Sequence, residues 1–277
     1  MPSIPVRPLA LTIAGSDCSG GAGLQADLRA FAEIGVRSAS VITCVVAENA
    51  ERVLHVEPIT PEAVAAQLHA LAESAPVAAL KTGMTWSPEI VEALAMTLWK
   101  IRRERRWPSP PLVVDPVGMA STGSALARPG WGEALASMLL PLATLVTPNA
   151  MEAELLLGGT LEPRHLADAA ETLADRHGCA FLLKGGHLGE EDDLVRDALA
   201  LPGETAELLE SPRIPGATGL HGTGCVLSAA ITARLALGQT LPEAVRAGRD
   251  DLRHAMENAF RWEHEGREWS SLGPAAS

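Results

Sequence analysis

Short apolar runs rich in β-branched residues alternate with amphipathic stretches along most of the chain, a pattern that predicts parallel strands joined by crossover helices. Strands are expected near Ala10 to Ala14, Ser40 to Val46, Ala78 to Lys81, Leu112 to Val114, Thr144 to Thr147 and Ala180 to Lys184. Most are short and apolar at consecutive positions, as strands covered by helices on both faces should be. Helix starts are punctuated at Thr60-Pro61, Ser87-Pro88 and Thr240-Leu241-Pro242-Glu243, by capping hydroxyls, prolines in the first turn and, in the last, the glutamate of a capping box. From about Glu190 to Arg213 the pattern changes. There Leu194 to Leu201 and Leu208 to Ile214 flank a polar Pro-Gly-Glu-Thr turn, which predicts an antiparallel hairpin at one edge of the sheet. No repeat, low-complexity tract or linker interrupts the chain, so residues 1–277 read as a single α/β domain.

Composition sharpens this picture. The chain is 47% hydrophobic but only 3% aromatic, so its core is built largely from Ala, Val, Leu and Ile. With 22 basic and 34 acidic residues the net charge is −12, and no field draws in nucleic acid or an anionic membrane. The basic cluster Arg102-Arg103-Glu104-Arg105-Arg106, before Trp107-Pro108, reads as a solvated helix C-terminus favoured by the helix dipole. The stretch Met1 to Pro8 is short and broken by prolines, unlike a signal peptide or spanning helix, so a cytoplasmic protein is expected. The cysteines Cys18, Cys44, Cys179 and Cys225 form no CxxC pair and, taken one by one, read as reduced small hydrophobes.

Candidate chemistry gathers at the predicted strand ends. The first strand runs into Gly15-Ser-Asp17-Cys-Ser19-Gly20-Gly21-Ala22-Gly23, where a ligand can approach the backbone closely or a tight structural turn can form. It is not a P-loop, because Gly21 and Ala22 stand where Lys and Ser or Thr are needed, and Asp17 spoils the dinucleotide fingerprint. Later strands end at Glu48-Asn49, at Lys81-Thr82-Gly83-Met84, at Asp115-Pro116-Val117, at Thr147-Pro148-Asn149 and at Lys184-Gly185-Gly186-His187. Such ends form the ligand crevice of an open parallel sheet. Glu48 can hydrogen-bond a ring amine, and Met84 offers an adaptable apolar contact or core filler. Asn149 and Glu152 share one side of a first helical turn; this suits a hydrated Mg²⁺ beside phosphates, or simply a helix cap. Lys184 suits phosphate, or is an ordinary strand-end charge. His221-Gly222-Thr223-Gly224-Cys225 precedes a small apolar helix, so amides and the positive helix end face the thiol, which is thereby expected to ionise readily. Together these features describe phosphoryl transfer by positioning and electrostatics.

In order along the chain, Ile13 to Asp17 with Asp27, Ala47 to Asn49, Lys81 to Met84, Asp115 to Val117, Thr147 to Asn149 with Glu152, Lys184 to His187 and His221 to Cys225 resemble the hydroxymethylpyrimidine/phosphomethylpyrimidine kinases of the ribokinase-like superfamily. The resemblance implies a three-layer sandwich and ATP- and Mg²⁺-dependent phosphorylation of a hydroxymethylpyrimidine and then of its monophosphate, in thiamine biosynthesis. It implies substrate contacts from Glu48, Met84, Gly15, Asp27 and Val117. It assigns Asn149 and Glu152 to the magnesium phosphate end, Lys184 and Asp115 to ATP, and Gly222, Thr223, Gly224 and Cys225 to catalysis, with Cys225 as base or orienting thiol. In the related sugar kinases an aspartate stands at the position of Cys225. Departures from the family pattern lie at Gly118 to Gly123, at Leu220 and at Ala50. Pyridoxal kinase, whose substrate also bears a hydroxymethyl group, is the near alternative; a pyrimidine-binding regulatory protein without turnover is one of another class. A homodimer paired through the edge hairpin is expected.

Overall fold

Consecutive residues of the central strands bury against opposite layers, which is why their sequences look apolar throughout. The computed structural model describes residues 7–49, 51–107, 109–119, 126–186, 193–217 and 219–275. Strand β1 (Leu9–Asp17) is followed by α1 (Gly23–Ile34), β2 (Arg37–Glu48), β3 (Val53–Pro58), α2 (Pro61–Ser74), β4 (Val77–Thr82), α3 (Pro88–Arg103) and β5 (Leu112–Val114). A short α4 (Trp131–Ala134) continues through a wide turn at Leu135–Leu139 into β6 (Leu145–Val146) and α5 (Ala150–Leu157). Then come α6 (Leu166–His177), β7 (Ala180–Leu183), β8 (Leu194–Ala200), β9 (Glu207–Pro212), α7 (Thr223–Ala236), α8 (Leu241–Glu257), β10 (Phe260–His264) and β11 (Arg267–Ser271).

The main sheet has nine strands in the order β3-β2-β1-β4-β5-β6-β7-β8-β9. The six from β2 to β7 in that order are mutually parallel, while β3 pairs antiparallel to β2 on one edge and, on the other, β8 pairs antiparallel to β7 and β9 to β8. One layer packs Leu68 of α2, Leu94 of α3 and Ala170 of α6 on Leu11, Ile13, Val114 and Phe181. The opposite layer packs Phe31 of α1, Ala229 of α7 and Ala255 of α8 on Ala10, and Leu227, Ile231 and Val245 on Val113, Leu145 and Leu182. The alternation within β1, Ala10 to one side and Leu11 to the other, is the period-two rule of a pleated strand.

The helix starts behave as their sequences predict. Thr60 Oγ1 accepts from Ala63 N, Ser87 Oγ accepts from Ile90 N, and Thr240 with Glu243 forms a capping box. The predicted edge hairpin is present, though each strand ends one or two residues sooner, at Ala200 and Pro212. Two elements go beyond the sequence reading. Strand β3 folds back on β2 through a turn in which Asn49 Oδ1 accepts the amides of Glu51 and Arg52. The exposed β10–β11 ribbon follows α8. Among the described residues no helix is long and apolar enough to cross a membrane.

Candidate active site

The C-terminal ends of the parallel strands meet the N-terminus of α7, which packs across β1, β4 and β5. Here pairing between β1 and β2 shifts, Ala14 facing Ile42 but Ser16 facing Val45, and the shift falls at Gly15. A Cβ at Gly15 would sit 2.8 Å from Cys44 Sγ and 3.5 Å from Met84 Sδ, so glycine lets the strand close on the wall behind it. That wall is an apolar cluster of Cys44, Val46, Met84 and Leu126, with Val117 packed against it. The structure thus brings Gly15, Met84 and Val117 to one surface.

A polar cluster rims this surface. Asp17 is the hub of the glycine-rich turn: its carboxylate accepts the amides of Ser19 and Ala22 at 2.7 and 2.8 Å and the Ser19 hydroxyl at 2.8 Å. His221 Nε2 approaches the same carboxylate at 3.4 Å. Glu48 joins them, with one ligand atom from each of Asp17, Glu48 and His221 within 4.8 Å of the others. Burial and the Asp17 charge raise the Glu48 pKa, while the hydrogen bond to Asp17 raises that of His221. Sequence reasoning places Glu48 here but misses Asp17 and His221 as its neighbours; a carboxylate inside a glycine turn was the available signal.

Asp27 does not line the pocket. Its side chain and that of Lys81 are 0% exposed, Lys81 Nζ donates to both its oxygens at 2.6 and 2.7 Å, and Thr12 Oγ1 donates to it at 2.5 Å. A lysine in an otherwise apolar buried strand needs a counter-charge, and Asp27 of α1 supplies it.

Gly222 caps α7 with φ +85°, and a Cβ there would collide with the Gly21 carbonyl oxygen. The glycine therefore seats the helix start directly on the glycine-rich turn. No side chain caps this helix; the first helical hydrogen bond is from Val226 N to Gly222 O, so the amides of Thr223, Gly224 and Cys225 lie ahead of it. Cys225 is half-buried, and the Gly23 amide, at the first residue of α1, also favours its ionised form slightly. The starts of both helices thus lie beside its sulfur. The expected easy ionisation is nevertheless reversed: burial pushes the thiol up to about 11, with Lys81 opposing and Asp27 and Asp115 adding to the rise. Helix ends favour a thiolate, but here desolvation outweighs them.

At the other end of the cleft Lys184 Nζ donates to Asp115 Oδ1 at 3.0 Å, and Thr147 Oγ1 and Ser228 Oγ hold Asp115 at 3.2 and 3.3 Å. A Cβ at Gly224 would lie 3.2 Å from Lys184 Nζ, so glycine at this position lets the ammonium sit close to the α7 backbone without being pushed aside. Asn149 and Glu152 form a reciprocal capping box, Glu152 Oε2 accepting from Asn149 N at 2.8 Å and Asn149 Oδ1 from Glu152 N at 2.9 Å. The capping role is thus realised, beside Lys184 and Asp115. Burial raises Glu152 to about 7 against the pull of Lys184. His187, Ala50 and the segment 120–125 lie outside the described residues.

The raised Glu152 carboxyl makes a prediction about stability. Burial holds it at about 7 in the folded protein, above the ordinary 4.5, so between those values the unfolded chain binds fewer protons and stability falls as pH rises. Urea unfolding of the wild type and of Glu152→Gln, which keeps a capping acceptor, is expected to show a decline steeper in the wild type by about 1–3 kcal/mol, the variant keeping only the part due to other raised groups such as Glu48 and His221. Parallel curves for both proteins would contradict it.

This geometry can be set beside known proteins. A family model described as phosphomethylpyrimidine kinase matches residues 17–268. The chain belongs to that family. It is 43% identical over 259 residues to the hydroxymethylpyrimidine/phosphomethylpyrimidine kinase of Rhizobium meliloti, covering 92% of each chain. Among solved structures it resembles an ADP complex of Bacillus subtilis pyridoxal kinase, with TM-score 0.81 and 34% identity over 98% of each chain. It also resembles the phosphomethylpyrimidine kinase of Clostridium difficile, with TM-score 0.76 and 36% identity over 90% of this chain and 100% of that one. The chain is accordingly a kinase of ribokinase-like architecture.

Proposed function

We propose that the chain transfers the γ-phosphoryl group of ATP to the hydroxymethyl group of 4-amino-5-hydroxymethyl-2-methylpyrimidine, and then phosphorylates the monophosphate to the diphosphate. This is the hydroxymethylpyrimidine and phosphomethylpyrimidine kinase activity of thiamine biosynthesis carried by its relatives. The observation that carries the assignment of roles is the meeting, on one sheet edge, of an apolar wall with a carboxylate rim and of a lysine with a helix N-terminus. An aminopyrimidine ring is flat and apolar on its faces and donates at its amine. Met84 and Val117 suit the ring face, and Glu48 suits the amine.

Chemistry follows from the other half of the cleft. The amides of Thr223, Gly224 and Cys225 and the Lys184 ammonium suit the transferring phosphoryl group, whose charge spreads over its equatorial oxygens. Cys225 rests as a thiol and accepts the hydroxyl proton as its thiolate. That form is scarce at neutrality, but as a strong base it compensates in part for its scarcity. The loose transition state of phosphoryl transfer also demands little proton removal in advance. The carboxylates of Asp115 and Glu152 are hard oxygen donors beside Lys184, and burial, with a smaller contribution from Asp115, raises the proton affinity of Glu152. Such donors fit Mg²⁺ held largely through its own waters, which would neutralise phosphate charge there.

The likeness to pyridoxal kinase supports a second reading, in which a pyridine ring takes the pyrimidine's place. Steady-state kcat/KM for the two substrates separates them. The aminopyrimidine is expected to be preferred because only it brings an amine to Glu48; equal or greater efficiency on pyridoxal would overturn the assignment.

A further inference from the structure

We propose that Asp197 and Arg249 are positioning residues for the phosphate end of the cleft: by holding the Gly185 amide, the pair fixes the backbone that carries Lys184 and so sets where the ammonium stands against the start of α7. The proposal rests on the reading of Lys184 as a phosphate contact, and extends it to two residues that touch no reacting atom in that reading.

The phosphate end is assembled from distant parts of the chain. Its amides open α7, whereas Lys184 follows β7. Lys184 N donates to Pro148 O at 2.9 Å and its Nζ to Asp115 at 3.0 Å, which ties the residue to the β5 and β6 side. On the other side the tie is made through the next two residues. A Cβ at Gly185 would collide with the Arg196 carbonyl oxygen, so the backbone there lies directly on β8. Asp197 Oδ1 accepts the Gly185 amide at 2.9 Å, and Arg213 Nη1 donates to the Gly186 carbonyl at 3.1 Å. Two glycines have no side chains to pack, so polar ties to the β8–β9 hairpin hold them instead.

Asp197 is an ionisable residue on a buried face of β8, 7% exposed and paired with Leu209 across the hairpin. Its charge is met by Arg249 of α8, whose Nε donates to Oδ2 at 2.8 Å and whose Nη2 donates to Leu209 O at 2.8 Å and Ser211 Oγ at 3.2 Å. The carboxylate therefore divides its oxygens, one to α8 and one to the Gly185 amide. A pair that only staples elements together looks different. Two residues further along α8, Asp251 takes Arg234 of α7 on both oxygens, at 2.7 and 2.9 Å, in a closed fork. A buried ion pair is commonly no more stabilising than apolar residues of the same shape, but apolar residues could not accept the Gly185 amide. One residue before Arg249, a Cβ at Gly248 would sit 2.7 Å from Ile231 Cγ1, so α8 lies close on α7. Through Gly248 and Arg249, α8 thus joins the helix that offers the amides to the loop that carries the lysine.

Steady-state kinetics of Asp197→Ala and of Asp197→Ala/Arg249→Met test the proposal, with Asp251→Asn as a control and thermal melts of all three. Asp197→Ala alone strands the Arg249 charge and can fail to fold; the double variant, neutral at both positions, carries the same prediction. In both, the Gly185 amide loses its acceptor, and kcat/KM for ATP is expected to fall about ten- to hundred-fold while KM for the pyrimidine at saturating ATP changes by less than about two-fold. Asp251→Asn is expected to lower the melting temperature and leave kcat/KM for ATP at the wild-type value. A purely structural pair would lower the melting temperature and leave ATP kinetics unmoved. That result, an equal fall in Asp251→Asn, or a matching rise in KM for the pyrimidine overturns the proposal. Lys184→Ala separates the two possible failures: wild-type ATP kinetics there overturn the reading of the lysine and the proposal with it, whereas impaired kinetics there with unmoved kinetics in the Asp197 variants overturn the proposal alone.

Discussion

Cys225→Ala is expected to lower kcat by about two to four orders of magnitude, the usual span for loss of a general base, while folding and ATP binding stay nearly intact. The fold should tolerate it because the residue is only half-buried and its helix is anchored elsewhere. Val226, Leu227, Ala229 and Ile231 are buried in the core, and Ser228 is tied to Asp115. What alanine removes is the polarizable base at the N-terminus of α7, beside the start of α1. The pH dependence gives the claim a second edge. Burial lifts the thiol to about 11, so the thiolate gains roughly ten-fold with each pH unit below that value. Wild-type kcat/KM should therefore climb from neutrality into the alkaline range, and Cys225→Ala should lose the climb along with the rate. Initial rates across pH, with thermal melts as a control for folding, check both. Near wild-type turnover in the alanine variant would reject the base role.

Lys184→Ala should slow transfer by about 10²–10³-fold and raise the KM for ATP. The ammonium lies beside the Gly224 backbone at the start of α7, so it faces the place where the phosphoryl amides point. Its removal has a second effect. Asp115 and Glu152 lose the cation that now pulls on both of them, and the phosphate end becomes net repulsive to ATP. Stability should fall only modestly, since Thr147 and Ser228 still hold Asp115. Steady-state kinetics over ATP and Mg²⁺ read the change. An ATP profile matching the wild type would reduce Lys184 to a structural partner of Asp115.

Much of this architecture was legible in the sequence because its signals are local. The parallel strands announce themselves by apolar runs, and Leu112–Val114 is found at the predicted bounds; the Thr60, Ser87 and Thr240 caps need only the next few residues to act. What escaped is non-local. Strand β3 is short and largely exposed, with only Val53 and Val56 packed on the apolar wall, so its local signal is weak. Lys81 reads only as the polar end of an apolar strand, and nothing local says that Asp27, 54 residues away, neutralises it inside the core. The same blindness misjudged Cys225. A helix N-terminus lowers a thiol pKa, and the sequence shows the helix; the desolvation and the carboxylates of Asp27 and Asp115 that outweigh it appear only in three dimensions. Asn149 and Glu152 illustrate the converse, since the capping box proposed from spacing is present while Lys184 and Asp115 beside it are brought from distant strands.

The central claim is that one cleft phosphorylates an aminopyrimidine's hydroxymethyl group and then the resulting phosphate. Product analysis by mass after incubation with ATP, Mg²⁺ and 4-amino-5-hydroxymethyl-2-methylpyrimidine tests it most directly. The account predicts a monophosphate that appears first and is converted to a diphosphate, with both steps suppressed in Cys225→Ala. Absence of any phosphorylated pyrimidine, with the substrate bound but unchanged, would contradict it.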